Sequence, residues 1–180
     1  MENLSPAERA LAFAVEAHRG QRRKGSGVPY VFHTVDVAKR LGDAGVRDED
    51  VIVAALLHDV VEDTDVSHAQ VAEQFGARAA GFVDEMTFDE AGQEKSAYLA
   101  TFATGSPEAL AIKLMDRSAN VTDYELERPD YAPKYAALAA VLYAAAFDRE
   151  ADLAQTFGAV AAERMLAEAR RLADLSRSVD

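Results

Sequence analysis

The chain has no cysteine, only ten glycines and five prolines in 180 residues, and far fewer cations than carboxylates. Each shortage closes off a class of protein. Without cysteine there are no disulfides, no thiolate nucleophile, no cysteine-ligated zinc and no iron–sulfur cluster. With glycine and proline scarce and 49% of residues hydrophobic, disorder is excluded everywhere except at the termini. Nineteen Lys+Arg against 31 Asp+Glu leave a net charge of −12, so the surface as a whole repels phosphate. An anionic ligand then needs a local basic cluster or a metal, and nucleic acid is not an expected partner. No apolar run approaches the roughly 18–20 residues of a membrane span. The longest, 51–57, is followed at once by His58 and Asp59. The amino-terminal stretch has no basic, apolar secretory signature, so the expected location is cytoplasmic, away from membranes.

What is present reads as helix. Alanine and leucine dominate, and apolar positions recur at helical spacing, so the expected fold is an all-α, compact multi-helix bundle in one domain over 1–180. Ser5-Pro6-Ala7-Glu8 has the form of a capping box, with proline at the first helical position, and opens a helix over 6–19. Residues 20–30 hold three glycines, a proline and three consecutive cations, which is loop chemistry. A second helix is expected from about Phe32 or His33 to just before Gly42, and a third from after Asp48 through about Glu62. Further helices are expected at 67–75, 77–87, 93–104, 107–125, 130–147 and 149–176. In 130–180, Leu138, Val141, Leu142, Ala145, Leu153, Phe157, Val160 and Met165 read as core positions of packing helices. The amphipathic stretch from Glu163 either caps the fold or mediates a homo-oligomer.

The chemistry is concentrated where the apolar third helix runs into HDVVED. Carboxylates at the end of a helix buried all round need something to neutralise them. Glu62 lies four residues after His58 and Asp63 four after Asp59, so one helix would turn all four toward the same half. Adjacent residues stand about 100° apart on a helix, so His58 and Asp59 share an ion only if it sits off the helix edge and other helices complete its shell. His33, at a helix start, and Asp116, at the end of an apolar stretch, are the candidates. Two His and two Asp form a mixed nitrogen and oxygen site suited to Mn, Fe, Co or Zn ahead of Ca or Mg. His18, closing the first helix as a cation at its C-terminus, and His68, after Ser67 at a helix start, are assigned structural roles.

The succession AHRGQRRKGSGVPYVFHTVDVA, AALLHDVVEDT, FGARAAGFVDEMT and IKLMDRSANV resembles the hydrolase domain of the RelA/SpoT homologues, within the HD-domain metal phosphohydrolases. The resemblance implies that His33, His58, Asp59 and Asp116 hold one Mn(II), and that Glu62 with Asp63 is the catalytic acidic pair. It implies that Arg23 and Lys24 bind the nucleotide's base and phosphates, that Asn120 contacts its sugar, and that Tyr135 touches its phosphate end. The implied activity is hydrolysis of the 3′-pyrophosphate of guanosine tetra- or pentaphosphate to GDP or GTP and pyrophosphate. Two other readings stay open: a phosphohydrolase of adenosine alarmones, the 2′-phosphate of NADPH or nucleoside monophosphates, and a non-catalytic alarmone-binding module. The chain departs from the family in carrying Thr34 after His33 in place of proline, and Met115 before Asp116 in place of a small residue. It also has the acidic run Asp89-Glu90 where relatives offer lysine, with Lys95 as a substitute cation.

Overall fold

A computed structural model describes residues 4–89 and 91–178, all of whose regular elements are helices. Glu90 lies outside the described residues. The chain divides after Asp89 into two compact units.

The first unit is arranged around its most apolar helix. Its elements are α1 (Pro6–Ala17), α2 (Val31–Ala44), α3 (Glu49–Leu57), α4 (Val60–Asp63), α5 (His68–Phe75) and α6 (Ala77–Met86). α1, α2 and α6 all pack on α3, which buries Val51, Val53, Ala54, Ala55, Leu56 and Leu57. At about 1.5–3 kcal/mol for each fully buried large aliphatic side chain, this helix anchors the unit. Ser5 and Glu8 form the expected capping box: the Ser5 amide donates to Glu8 Oε2 at 2.8 Å and the Glu8 amide to Ser5 Oγ at 3.2 Å. A second box, Ser67 with Gln70, starts α5 at His68.

Two boundaries in this unit differ from the sequence expectation. α2 runs through Gly42 and ends at Gly45, whose φ of 112° takes the left-handed turn that glycine adopts without strain. The expected third helix is not continuous: α3 stops at Leu57 and α4 begins at Val60. His58 Nδ1 lies 2.8 Å from the Ala55 carbonyl, the acceptor that an unbroken helix would give to the Asp59 amide, so the imidazole itself interrupts the ladder.

The second unit comprises α7 (Lys95–Thr101), α8 (Pro107–Glu127), α9 (Ala132–Ala137), α10 (Ala140–Asp148), α11 (Glu150–Phe157) and α12 (Ala159–Ser176). α8 is its axis, buried from Ala109 through Ala119 and packed against α9, α10, α11 and α12. The expected helices over 130–147 and 149–176 are each broken in two. The second break falls at Gly158, at a φ of 88°. Leu142, Ala145, Leu153 and Met165 are buried as expected, whereas Leu138 is 64% exposed, Val160 62% and Val141 39%, because the breaks rotate these positions off the packed face.

The N-terminus of α3 is tied to α6. Asp48 caps α3 by accepting from the Asp50 amide at 3.1 Å, and Arg78 on α6 donates to Asp48 through both Nη atoms at 2.7 Å and to Asp50 at 2.9 Å. These bonds from Arg78 hold the Asp48 carboxyl below the ordinary carboxylate range. Because the folded pKa is the lower one, the stabilisation is complete above the unfolded value of about 3.9 and is lost as pH falls through the folded value. Arg78→Met should therefore lower stability by about 0.5–1 kcal/mol at pH 7, allowing for solvent screening, and by much less at pH 2. Urea denaturation at the two pH values checks this, and an equal loss at both would show that Arg78 acts by packing alone.

Candidate metal centre

The break between α3 and α4 places His58 at the end of one helix and Asp59 at the start of the next. α2, packed against α3, brings His33 to the same point. Among the described residues, His33, His58 and Asp59 each offer one ligand atom within 4.8 Å of the others. His58 is 1% exposed and His33 5%. Asp59 Oδ2 lies 3.1 Å from His58 Nε2 and 3.7 Å from His33 Nε2, and the two rings meet edge to face at 5.4 Å.

These donors fit a divalent first-row ion. Ligand atoms about 2.0–2.1 Å from such a metal stand about 3.0–3.4 Å apart, close to the spacings around Asp59 Oδ2. The hydrogen bond of His58 Nδ1 to the Ala55 carbonyl assigns the proton to Nδ1 and leaves Nε2 as the lone-pair donor, the arrangement that orients metal-binding histidines.

The acidic pair stands on α4. Glu62 Oε2 accepts from the Phe88 amide at 3.0 Å, which fixes one carboxylate oxygen. Asp63 is exposed over the residue as a whole, yet the atoms around its carboxyl and the charge of Asp59 push its pKa up, against a hydrogen bond from Tyr30 that lowers it. Both carboxylates line a cleft of about 690 Å³ together with Arg19, Gln21 and Gln70.

The loop 20–30 folds back on itself. An isolated bridge pairs Arg22 with Pro29, the Arg23 amide donates to Val28 O at 2.9 Å, and the turn closes at Gly27, whose φ is 69°. Lys24 is exposed, and the Arg23 guanidinium lies 5.7 Å from the centroid of the Tyr30 ring. Tyr30 is the residue that motif reading missed. Its hydroxyl donates to Asp59 Oδ2 at 2.7 Å, and its ring lies against His18 and His33. No local pattern marks it in the sequence, because the contact spans 29 residues. His18 does close α1, but as a 4% exposed ring bonded to Gln21 and stacked on Tyr30 instead of an open cation at the helix end.

Asp116, Asn120 and Tyr135 belong to the second unit. Asp116 is 7% exposed, pairs with Lys113 Nζ at 2.9 Å and accepts from Asn120 Nδ2 at 2.6 Å, so Asn120 shares its helix face. Tyr135 carries the Arg117 guanidinium over its ring at 4.3 Å and packs on Tyr124 at 4.6 Å. Thr34 lies inside α2, donating to Val31 O at 3.0 Å, and Met115 is buried in α8. Lys95 opens α7, 5.1 Å from the Tyr98 ring.

An all-helical scaffold that converges two buried imidazoles and a carboxylate at a helix break defines a class: helical proteins with a mixed nitrogen and oxygen metal centre. Residues 10–128 match the family described as HD domain, and the chain belongs to that family, in the branch of the SpoT-homologue hydrolases. It is 41% identical over 124 residues to the guanosine-3′,5′-bis(diphosphate) 3′-pyrophosphohydrolase MESH1 of Drosophila melanogaster, covering 66% of this chain and 69% of that protein. It is 36% identical over 151 residues to the guanosine-3′,5′-bis(diphosphate) 3′-pyrophosphohydrolase of Aquifex aeolicus, covering 79% of this chain but only 21% of that longer protein. A solved structure of a metazoan ortholog of SpoT that hydrolyzes ppGpp matches with a TM-score of 0.78 at 32% identity, over 96% of this chain and 97% of that one. Among the described residues, no helix is long and apolar enough to cross a membrane.

Removing one imidazole tests the centre directly. Wild-type protein loaded with Mn(II) and desalted should retain about one equivalent, whereas His58→Ala should retain almost none while keeping its helical circular dichroism. Full retention by His58→Ala would remove that residue from the ligand set.

Proposed function

We propose that this chain is a metal-dependent pyrophosphohydrolase that cleaves the 3′-pyrophosphate from guanosine tetra- or pentaphosphate, leaving GDP or GTP and pyrophosphate. The observation that carries the reading is the convergence of His33, His58 and Asp59 one helical turn before Glu62 and Asp63. It is supported by the activity in the names of the relatives, the shorter of which are matched over about seven tenths of their length.

We take the ion to be Mn(II), on the family resemblance, with Asp116 as a fourth ligand. Asp116 is put forward on its motif and on its buried carboxylate, which Lys113 and Asn120 already hold in place. A bound divalent cation supplies neutralisation of pyrophosphate charge and a water acidified toward neutral pH. The remaining roles fall to side chains. Asp63, with its pKa raised, is the better proton acceptor for the attacking water, since a base works best with a pKa near the operating pH. Glu62, anchored by the Phe88 amide, orients that water. Arg23 offers a planar guanidinium to the purine or a phosphate, Lys24 a point charge, Asn120 a contact to the sugar and Tyr135 one to the phosphate end. The nucleotide is the expected partner, and a cytoplasmic setting accords with a chain free of cysteine.

Incubation with guanosine tetraphosphate and Mn(II), with products resolved by anion exchange, should give GDP and pyrophosphate and stop on addition of EDTA. Release of orthophosphate from NADPH or nucleoside monophosphates, with guanosine tetraphosphate left intact, would overturn the reading. Within it, Asp63→Asn should cut kcat by about 10²–10⁴-fold with metal retained, more than Glu62→Gln does. An active Asp63→Asn variant would move the base elsewhere. Arg23→Ala should raise KM by about tenfold or more at unchanged metal content, and an unchanged KM would leave Arg23 a solvated turn residue.

A further inference from the structure

We propose that Tyr30 is a positioning residue of the metal centre: its phenol hydroxyl holds the Asp59 carboxylate against the two imidazoles. The inference rests on reading the cluster as a metal centre, and it adds a role that the HD pair itself does not contain. A carboxylate on a short side chain can rotate and offer either oxygen, so a ligand aspartate needs a second partner to fix which oxygen faces the ion. Tyr30 provides that partner. Its hydroxyl donates to Oδ2 at 2.7 Å, and the same oxygen is the one that His58 Nε2 approaches to 3.1 Å and His33 Nε2 to 3.7 Å.

The ring is itself held from several sides. His18 lies on it with centroids 4.9 Å apart and planes at 32°, and His33 meets it edge-on at 5.8 Å. His18 is fixed in turn: its Nδ1 stands 2.5 Å from Gln21 Oε1, while Gln21 Nε2 donates to the Asp63 carbonyl at 2.9 Å. Gln21 also accepts the Tyr30 amide at 3.0 Å through its own carbonyl. His18, Gln21 and Tyr30 thus close a ring of contacts at the end of α1 and the basic loop, and Gln21 ties that ring to Asp63 on α4. The hydroxyl is delivered by a braced side chain to the one carboxylate oxygen the two imidazoles share.

The test is Mn(II) binding without nucleotide, followed by the loss of the free-ion electron paramagnetic resonance signal. Tyr30→Phe keeps the ring and deletes only the hydroxyl, so it should weaken Mn(II) binding by about 10–100-fold and alter the bound-Mn(II) spectrum while the metal-free protein keeps its helical circular dichroism. Tyr30→Leu removes ring and hydroxyl together and should weaken binding at least as much. Wild-type affinity in Tyr30→Phe, or a loss seen only in Tyr30→Leu, would overturn the proposal, because the ring and not the hydroxyl would then matter. A wild-type protein that takes up no Mn(II) would overturn it as well. A wild-type protein that binds Mn(II) but leaves guanosine tetraphosphate intact would overturn the proposed activity and leave the role of Tyr30 standing.

Discussion

The structure of the first unit depends on the interruption of a buried helix at His58. Two imidazoles and a carboxylate withdrawn from water cost several kcal/mol unless each polar atom finds a partner. The cost is offset locally in part. The Nδ1 atom of His58 takes the Ala55 carbonyl, the helix breaks, and Asp59 Oδ2 lies close to the Nε2 atoms of His58 and His33. Everything around this point keeps it fixed. α1, α2 and α6 clamp the apolar body of α3, the Arg78 bridge holds its start, and the Phe88 amide and Tyr30 hold the carboxylates that follow.

Charge is managed by placement more than by amount. A chain with a net charge of −12 gathers carboxylates around a centre that is to meet a polyanion, which is workable only if a cation and a few local basic groups face the ligand. In the first unit the basic groups sit in a folded-back loop whose Arg23 rests on Tyr30, so the loop and the ligand cluster share one aromatic side chain. In the second unit the axis helix α8 buries its own charges in pairs and stacks: Lys113 on Asp116, and Arg117 over Tyr135. Both units thus hold an apolar helix that carries its polar groups at defined points.

Much of this was legible in the sequence, and the reasons differ by element. The capping box at Ser5, the all-helical class and the His33, His58 and Asp59 cluster could be read because each is a residue type at a fixed spacing. The break at His58 was not, since it comes from a side chain competing for a backbone carbonyl, and helical periodicity continues across it. Tyr30 escaped because its role lies in one hydroxyl reaching across 29 residues to Asp59, a contact that no local pattern encodes. His18 was read as a helix-end cation because its spacing suits one, while its burial and stacking are tertiary facts. The exposure of Leu138, Val141 and Val160 follows from helix breaks that an alanine-rich stretch does not announce.

The side chains meeting at the α3–α4 break are set to hold one divalent ion. An anomalous difference map, recorded on either side of the manganese absorption edge from crystals grown with Mn(II), tests it most directly. A single strong peak is expected, bonded to His33 Nε2, His58 Nε2 and an Asp59 carboxylate oxygen, with the Tyr30 hydroxyl still on that carboxylate. A map without a peak at this cluster, from crystals that hold manganese elsewhere on the chain, would contradict it.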